Sequence, residues 1–174
     1  DKDEQIPISQ ADAKYKRYIG NGAPKHFLSW SNNLTWRNFD LSVFFRGTFG
    51  FDVFNMRKYG MGLQGCGTDN VLRSAYLEDK NIRTGGGVIS SYFLEDGSFI
   101  KLENVTLGYN FTPKNRKLLD NMRIYLSAKN LFTLTGYSGN DPSIIDVNGI
   151  QPGVDSNSAY PTATQLSLGV TLRF

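Results

Sequence analysis

The run Gln165-Leu166-Ser167-Leu168-Gly169-Val170-Thr171-Leu172-Arg173-Phe174 places an apolar residue at every even position and a small or polar one at every odd position. A period of two is the side-chain repeat of a β-strand. Residues 163–174 therefore read as a strand with one greasy face, Leu166, Leu168, Val170, Leu172 and Phe174, and one wet face. Residues 122–135 fit the same template: Met122, Ile124, Leu126, Ala128, Phe132 and Leu134 alternate with Arg123, Ser127, Lys129 and Thr133, and Tyr125 and Asn130 are the exceptions. Residues 98–111 alternate too, but Ile100 and Leu102 are even whereas Val105, Leu107, Tyr109 and Phe111 are odd. A β-bulge at Glu103-Asn104 reconciles the two phases. Residues 27–36 and 39–49 complete five predicted strands, the first two joined by a tight turn at Arg37-Asn38.

The connections are unequal. Arg37-Asn38 and 112–121 are short, whereas 50–97 and 136–162 are long. In an up-and-down antiparallel sheet this puts the short turns at one end and the long loops at the other, as in outer-membrane barrels. Aromatic residues gather at both ends: Trp36, Phe39, Tyr109, Phe111 and Phe174 near the short turns, Phe27, Phe49, Phe99 and Phe132 near the long loops. These are the places of interfacial girdles. The 174 residues hold 12 Phe, 9 Tyr, 2 Trp and 18 Gly. No apolar run approaches the roughly 18 residues of a spanning helix. A mean hydropathy of -0.35 suits a barrel wall, whose two faces average out. The charges, 19 Lys+Arg against 16 Asp+Glu, form no basic stripe for nucleic acid. A soluble β-sandwich binding module or surface adhesin is the alternative these features allow. It would fold in buffer, whereas a lone segment of barrel wall would aggregate.

Catalytic chemistry finds little support. His26 is the only histidine and has no Ser-His-Asp or Cys-His grouping. Glu78-Asp79 and Glu95-Asp96 lie in loops as surface carboxylates. Gly85-Gly86-Gly87 lacks the Lys-Ser/Thr of a phosphate loop. Cys66, the single cysteine, has no partner at ligand spacing and is read as a small loop residue.

Longer stretches carry a family likeness. Tyr92-Phe93-Leu94-Glu95-Asp96-Gly97-Ser98-Phe99-Ile100-Lys101-Leu102-Glu103-Asn104-Val105-Thr106-Leu107-Gly108-Tyr109 resembles the "EDGSF" turn and following strand of SusC/RagA-type TonB-dependent outer-membrane proteins. So do Arg123 to Thr135 with the loop Gly136-Tyr137-Ser138-Gly139-Asn140-Asp141-Pro142, Tyr160-Pro161 before the last strand, Ile19-Gly20-Asn21-Gly22-Ala23-Pro24-Lys25, and Asn38 to Val43. The likeness runs over nearly the whole chain in the family's order. At residues 1–12 the chain departs from it. Where many members have a calcium-like loop, the alignable residues are Asp1, Asp3, Gln5, Ile6, Ile8 and Asp12. The third ligand has become Gln5 and the turn glycine Ile6, which argues against a tight calcium site on Asp1, Asp3 and Asp12.

The resemblance implies an all-β protein: an antiparallel carboxy-terminal segment of a 22-stranded transmembrane barrel in a Gram-negative outer membrane of the Bacteroidetes type. Residues 1–26 would be an extracellular loop and 27–174 wall strands with outer loops. It also implies import of oligosaccharides or peptides, with no catalytic residues and no cofactor. The implied partners are the remainder of the barrel and its plug, a SusD-like surface lipoprotein, TonB acting through an amino-terminal part, and outer-membrane lipid. Leu166, Leu168, Val170, Leu172 and Phe174 would face lipid and serve as the barrel-assembly signal. In the long loops Tyr59, Tyr76, Tyr137 and Tyr160 would offer flat faces, and Asn140 and Asp141 hydrogen bonds, to a ligand.

Overall fold

The computed structural model describes residues 17–62, 70–77, 89–113, 119–147, 149–156 and 160–174. The chain divides into two compact units.

The larger unit, residues 24–50, 97–144 and 161–174, is one antiparallel sheet. Its strands are β1 (His26–Trp36), β2 (Phe39–Phe49), β5 (Phe99–Phe111), β6 (Asn121–Thr135) and β8 (Gln165–Arg173), in spatial order β1-β2-β5-β6-β8. Each alternating segment thus lies beside its neighbour in the series, as an up-and-down sheet demands. The β1–β2 hairpin closes on Trp36 opposite Phe39, with Arg37 in the left-handed region at φ 54°. Asn38 fastens this turn to β5, its side-chain amide donating to the Asn110 carbonyl at 2.7 Å.

The register shifts at Glu103. On the β2 side Phe44 pairs with Asn104 but Phe45 with Leu102. On the β6 side Leu102 faces Phe132 and Asn104 faces Lys129. The extra residue restores one continuous apolar face across the two phases of β5. Asn130, at φ 52°, absorbs the mismatch on β6, and its amide donates to the Ala163 carbonyl at 3.2 Å. The same slip turns Phe99 and Lys101 toward the other face. Phe99, expected in an aromatic girdle, is 3% exposed and lies under the Arg46 guanidinium at 5.3 Å from the ring centre.

The smaller unit, residues 1–23, 51–96 and 145–160, draws on segments read from sequence as an opening loop and two long connections. It contains β3 (Asp52–Asn55), β4 (Leu94–Asp96) and β7 (Val154–Asp155), with β3 antiparallel to β4 and parallel to β7. Two short helices, α1 (Met56–Met61) and α2 (Ser74–Leu77), follow. Asn55 caps α1 by accepting the Lys58 amide at 2.9 Å and also donates to Glu95 at 3.2 Å. Phe51, Val53 and Phe93 are buried at 2%, 0% and 2% exposure.

The Gly-Asn-Gly stretch is tied to this small sheet. Asn21 donates its amide to the Asp52 carboxylate and accepts the Asp52 amide, both at 2.8 Å. Gly153, at φ 75°, approaches so closely that an added Cβ would lie 2.5 Å from both the Asp52 carbonyl oxygen and Gly22 Cα. Its own carbonyl accepts the Phe54 amide at 2.7 Å. Gly149 has a similar φ, 85°, but an added Cβ there would meet only the Asp146 carboxylate, at an ordinary 3.6 Å. A non-glycine residue at positive φ costs about 1–3 kcal/mol, and Gly153→Ala adds a backbone collision to that. We expect Gly153→Ala to lower hydrogen-exchange protection of the Phe54 amide well beyond any effect of Gly149→Ala in the full-length protein; equal effects would refute the close approach.

Candidate functional site

The two faces of the large sheet are chemically opposite. Cross-strand neighbours build apolar rows on one face: Trp36–Phe39–Tyr109–Ile124–Val170, Leu34–Leu41–Leu107–Leu126–Leu168, Trp30–Phe45–Leu102–Phe132 and Leu28–Gly47–Ile100–Leu134. This face is open. Leu168 is 75% exposed, Leu166 71% and Val170 56%, with Leu172 and Phe174 also exposed. A sandwich buries such a face under a second sheet, and among the described residues no layer covers it. A continuous apolar surface of this extent marks contact with lipid or another macromolecule. Near the short turns the rings touch, Trp36 with Phe39 at 6.4 Å and Phe39 with Tyr109 at 4.8 Å between centres. Rings therefore cluster at this end of the apolar face, where the sequence places aromatic residues. Toward the long connections Phe49 and Phe132 share the apolar face, whereas Phe27 and Phe99, both opposite Thr48, belong to the other.

The reverse face is mostly polar, its rings being Phe27, Phe44, Phe99 and Tyr125. Its rows include Asn33–Ser42–Thr106–Ser127–Ser167 and Thr35–Asp40–Gly108–Tyr125–Gly169. Asp40 on β2 accepts two hydrogen bonds from Arg123 on β6, at 2.5 and 3.1 Å, reaching over the intervening β5. Gly108 makes this passage feasible, since a Cβ there would sit 2.5 Å from both Asp40 carboxylate oxygens. Asn110 adds a third bond to Asp40 at 2.8 Å. Tyr125, which interrupted the sequence pattern, lies over Gly169 and under the Arg123 guanidinium, 5.1 Å from its ring centre. Arg46 pairs with Glu103 at the bulge, 2.7 Å apart.

A third cluster joins residues that the sequence reading did not connect. Lys101, 2% exposed, directs its three ammonium protons at Asp141 Oδ2 (3.1 Å), Ser143 Oγ (2.7 Å) and Thr162 Oγ1 (2.8 Å). Thr162 in turn donates to Asp141, and the Ser143 amide donates to the other Asp141 oxygen at 2.8 Å. Asp141 begins the 3₁₀ turn Pro142–Ile144. Lysine reads in sequence as a solvated surface residue, and only the phase slip at Glu103 hinted that Lys101 turns inward.

The proposed ligand contacts scatter. Tyr76 and Tyr160 are exposed at 60% and 88%, and Asn140 is exposed. Tyr59 is half-buried, wedged against Phe54 and Phe93 at 5.8 and 5.2 Å between ring centres. Tyr137 and Asp141, expected on display in an outer loop, are instead 6% and 7% exposed. The Asp141 carboxylate is committed to internal donors, which corrects the expectation that it presents hydrogen bonds to a ligand. Asp1, Asp3 and Asp12, like Cys66, Glu78-Asp79 and the three glycines at 85–87, lie outside the described residues. Among the described residues no three His, Cys, Asp or Glu side chains gather to hold a metal.

Burial opposes ionisation of Asp141, but hydrogen bonds from Ser143, Thr162 and Lys101 outweigh it and hold the carboxyl below the ordinary aspartate range. A depressed folded-state pKa stabilises above the unfolded value, about 3.9, and that contribution is lost as pH falls through the folded value. We expect Asp141→Asn to lower the thermal midpoint of the full-length protein at pH 7, and the gap from wild type to shrink as pH drops below about 4. A gap independent of pH would contradict this.

No protein-family model matches the chain. Sequence relatives are consistent in kind. The chain is 28% identical over 195 residues to TonB-dependent receptor P3 of Formosa agariphila, covering 100% of this chain and 18% of that protein. It is 28% identical over 153 residues to TonB-dependent receptor SusC of Bacteroides thetaiotaomicron, covering 83% and 14%. It therefore spans under a fifth of the length of these relatives. Among solved structures, the RagAB peptide importer in its closed-closed state superposes with a TM-score of 0.76 at 24% identity, over 96% of this chain and 19% of that one. At that identity the likeness concerns the fold, antiparallel strands of a barrel. The chain matches a fragment of a SusC/RagA-family TonB-dependent protein.

Proposed function

We propose that this chain forms part of the wall of a TonB-dependent outer-membrane importer, a 22-stranded barrel taking up oligosaccharides or peptides. The observation that carries the proposal is the sheet with one face of exposed apolar rows and one face of paired charges and hydroxyls. The apolar face meets acyl chains, and the polar face meets water or the plug. The similarity to receptors named TonB-dependent, SusC among them, supports the same reading.

The edges name the first partner. β1 and β8 are each paired on one side only among the described residues. Unpaired backbone groups in hydrocarbon cost several kcal/mol each, and five strands fall short of the roughly eight that the smallest barrels need. The remaining strands of the barrel therefore complete both edges. A plug fills the lumen, TonB delivers energy through an amino-terminal region, and a SusD-type lipoprotein works at the outer surface. Tyr76, Asn140 and Tyr160 are the exposed members of the proposed ligand contacts. The wall carries out no bond chemistry; its work is to hold a polar passage within lipid.

Leu168 lies near the middle of β8, on the apolar face, beside Ser167 on the polar one. A basic residue on the lipid side at mid-depth costs about 2–4 kcal/mol. We expect Leu168→Arg to reduce the heat-modifiable, assembled barrel of the full-length protein in membranes, with Ser167→Arg assembling normally. Equal assembly of the two variants would remove lipid from the apolar face.

A further inference from the structure

Lys101 has no task in the wall as described so far. It lies on β5 below the bulge, is almost wholly buried, and takes no part in the Asp40–Arg123 pair. Its three acceptors come from the two limbs of one long connection: Asp141 and Ser143 on the outgoing limb after β6, Thr162 on the returning limb before β8. Between those limbs, residues 145–160 belong to the smaller compact unit, so the boundary between units falls just beyond the lysine's partners on both sides.

We propose that Lys101 is a positioning residue, a clamp that fastens residues 136–144 and 161–164, the two limbs of the connection between β6 and β8, to β5. Four observations support this. All three ammonium protons are used, and the acceptors lie on both limbs rather than one. Thr162 also bonds Asp141 directly, so the limbs are joined to each other as well as to β5. The limbs are stapled further along, by Thr135 Oγ1 to the Ser98 carbonyl (2.9 Å), the Tyr137 amide to Thr135 Oγ1 (3.1 Å) and Thr164 Oγ1 to the Asn130 carbonyl (2.9 Å). Finally, a buried ammonium stripped of its carboxylate is strongly disfavoured, so Lys101 and Asp141 hold or fail together. A tetrahedral ammonium with three separate acceptors also suits lysine rather than arginine, whose planar fork favours paired carboxylate oxygens. The clamp rests on the importer reading only for the setting of its test.

The test uses the full-length protein, with heat-modifiable migration reporting the barrel and hydrogen exchange reporting residues 136–144 and 161–164. Lys101→Met is expected to leave the barrel assembled and to raise exchange in both limbs by about tenfold or more. Adding Asp141→Asn to Lys101→Met is expected to raise it no further, because the two act as one unit. Thr162→Val, a milder change that keeps the Lys101–Asp141 pair, is expected to loosen the returning limb more than the outgoing one. Unchanged exchange in both limbs of an assembled Lys101→Met protein overturns the clamp. Failure of the barrel to assemble in both Lys101→Met and Thr162→Val also overturns it, since the cluster would then serve the wall itself. Limb exchange is read independently of how Leu168→Arg behaves, so the clamp and the lipid-facing reading stand or fall separately.

Discussion

A peptide group surrounded by acyl chains has no water to bond, so every strand of a spanning sheet must be hydrogen-bonded along both sides. For a sheet set in the outer membrane, as proposed for this chain, this constraint accounts for most of what the large sheet does. It requires an unbroken ladder from β1 to β8, forces the side chains into two opposed populations, and makes any local irregularity a shared affair of three strands. The bulge at Glu103 shows the last point. β5 carries one residue too many against β2, β6 answers with Asn130 in the left-handed region, and beyond the slip the apolar rows resume in register from Phe45 through Leu102 to Phe132.

Much of this was legible in the sequence because a two-residue period leaves a mark at every position. The alternation in Gln165 to Phe174 needs no partner to be read, and the phase conflict between Leu102 and Val105 marks the bulge in the sequence itself. Phe99 shows the limit of that method. Its place at a strand end suggested a girdle, but residues below the bulge have exchanged faces, so it lies inward under Arg46. Position along a strand says nothing of side unless the phase is counted through every irregularity.

The rest was hidden for a different physical reason. The smaller unit is assembled from strands of two to four residues, one pair of them parallel, and such lengths are too short to establish a period. What holds it is close backbone approach at Gly22 and Gly153 and a few rings around Phe93, neither of which leaves a repeating signal. The Lys101 cluster was invisible on similar grounds. The lysine lies 40 to 61 residues from its acceptors, and each member reads alone as an ordinary surface polar group. Tyr137 and Asp141 illustrate the resulting error, as residues in an apparently exposed loop that are drawn inside.

The Asp40–Arg123 pair has one more consequence. It is a tie laid across three strands on the polar side, with nothing comparable among the described residues of the apolar side, where the rows meet through apolar contacts. Strands laced together on one surface resist splaying there and remain free to fan apart on the other, so the sheet is biased to bend concave toward its charges. Closure of a barrel needs such a bend, and here a glycine at position 108 supplies the gap through which the lacing runs.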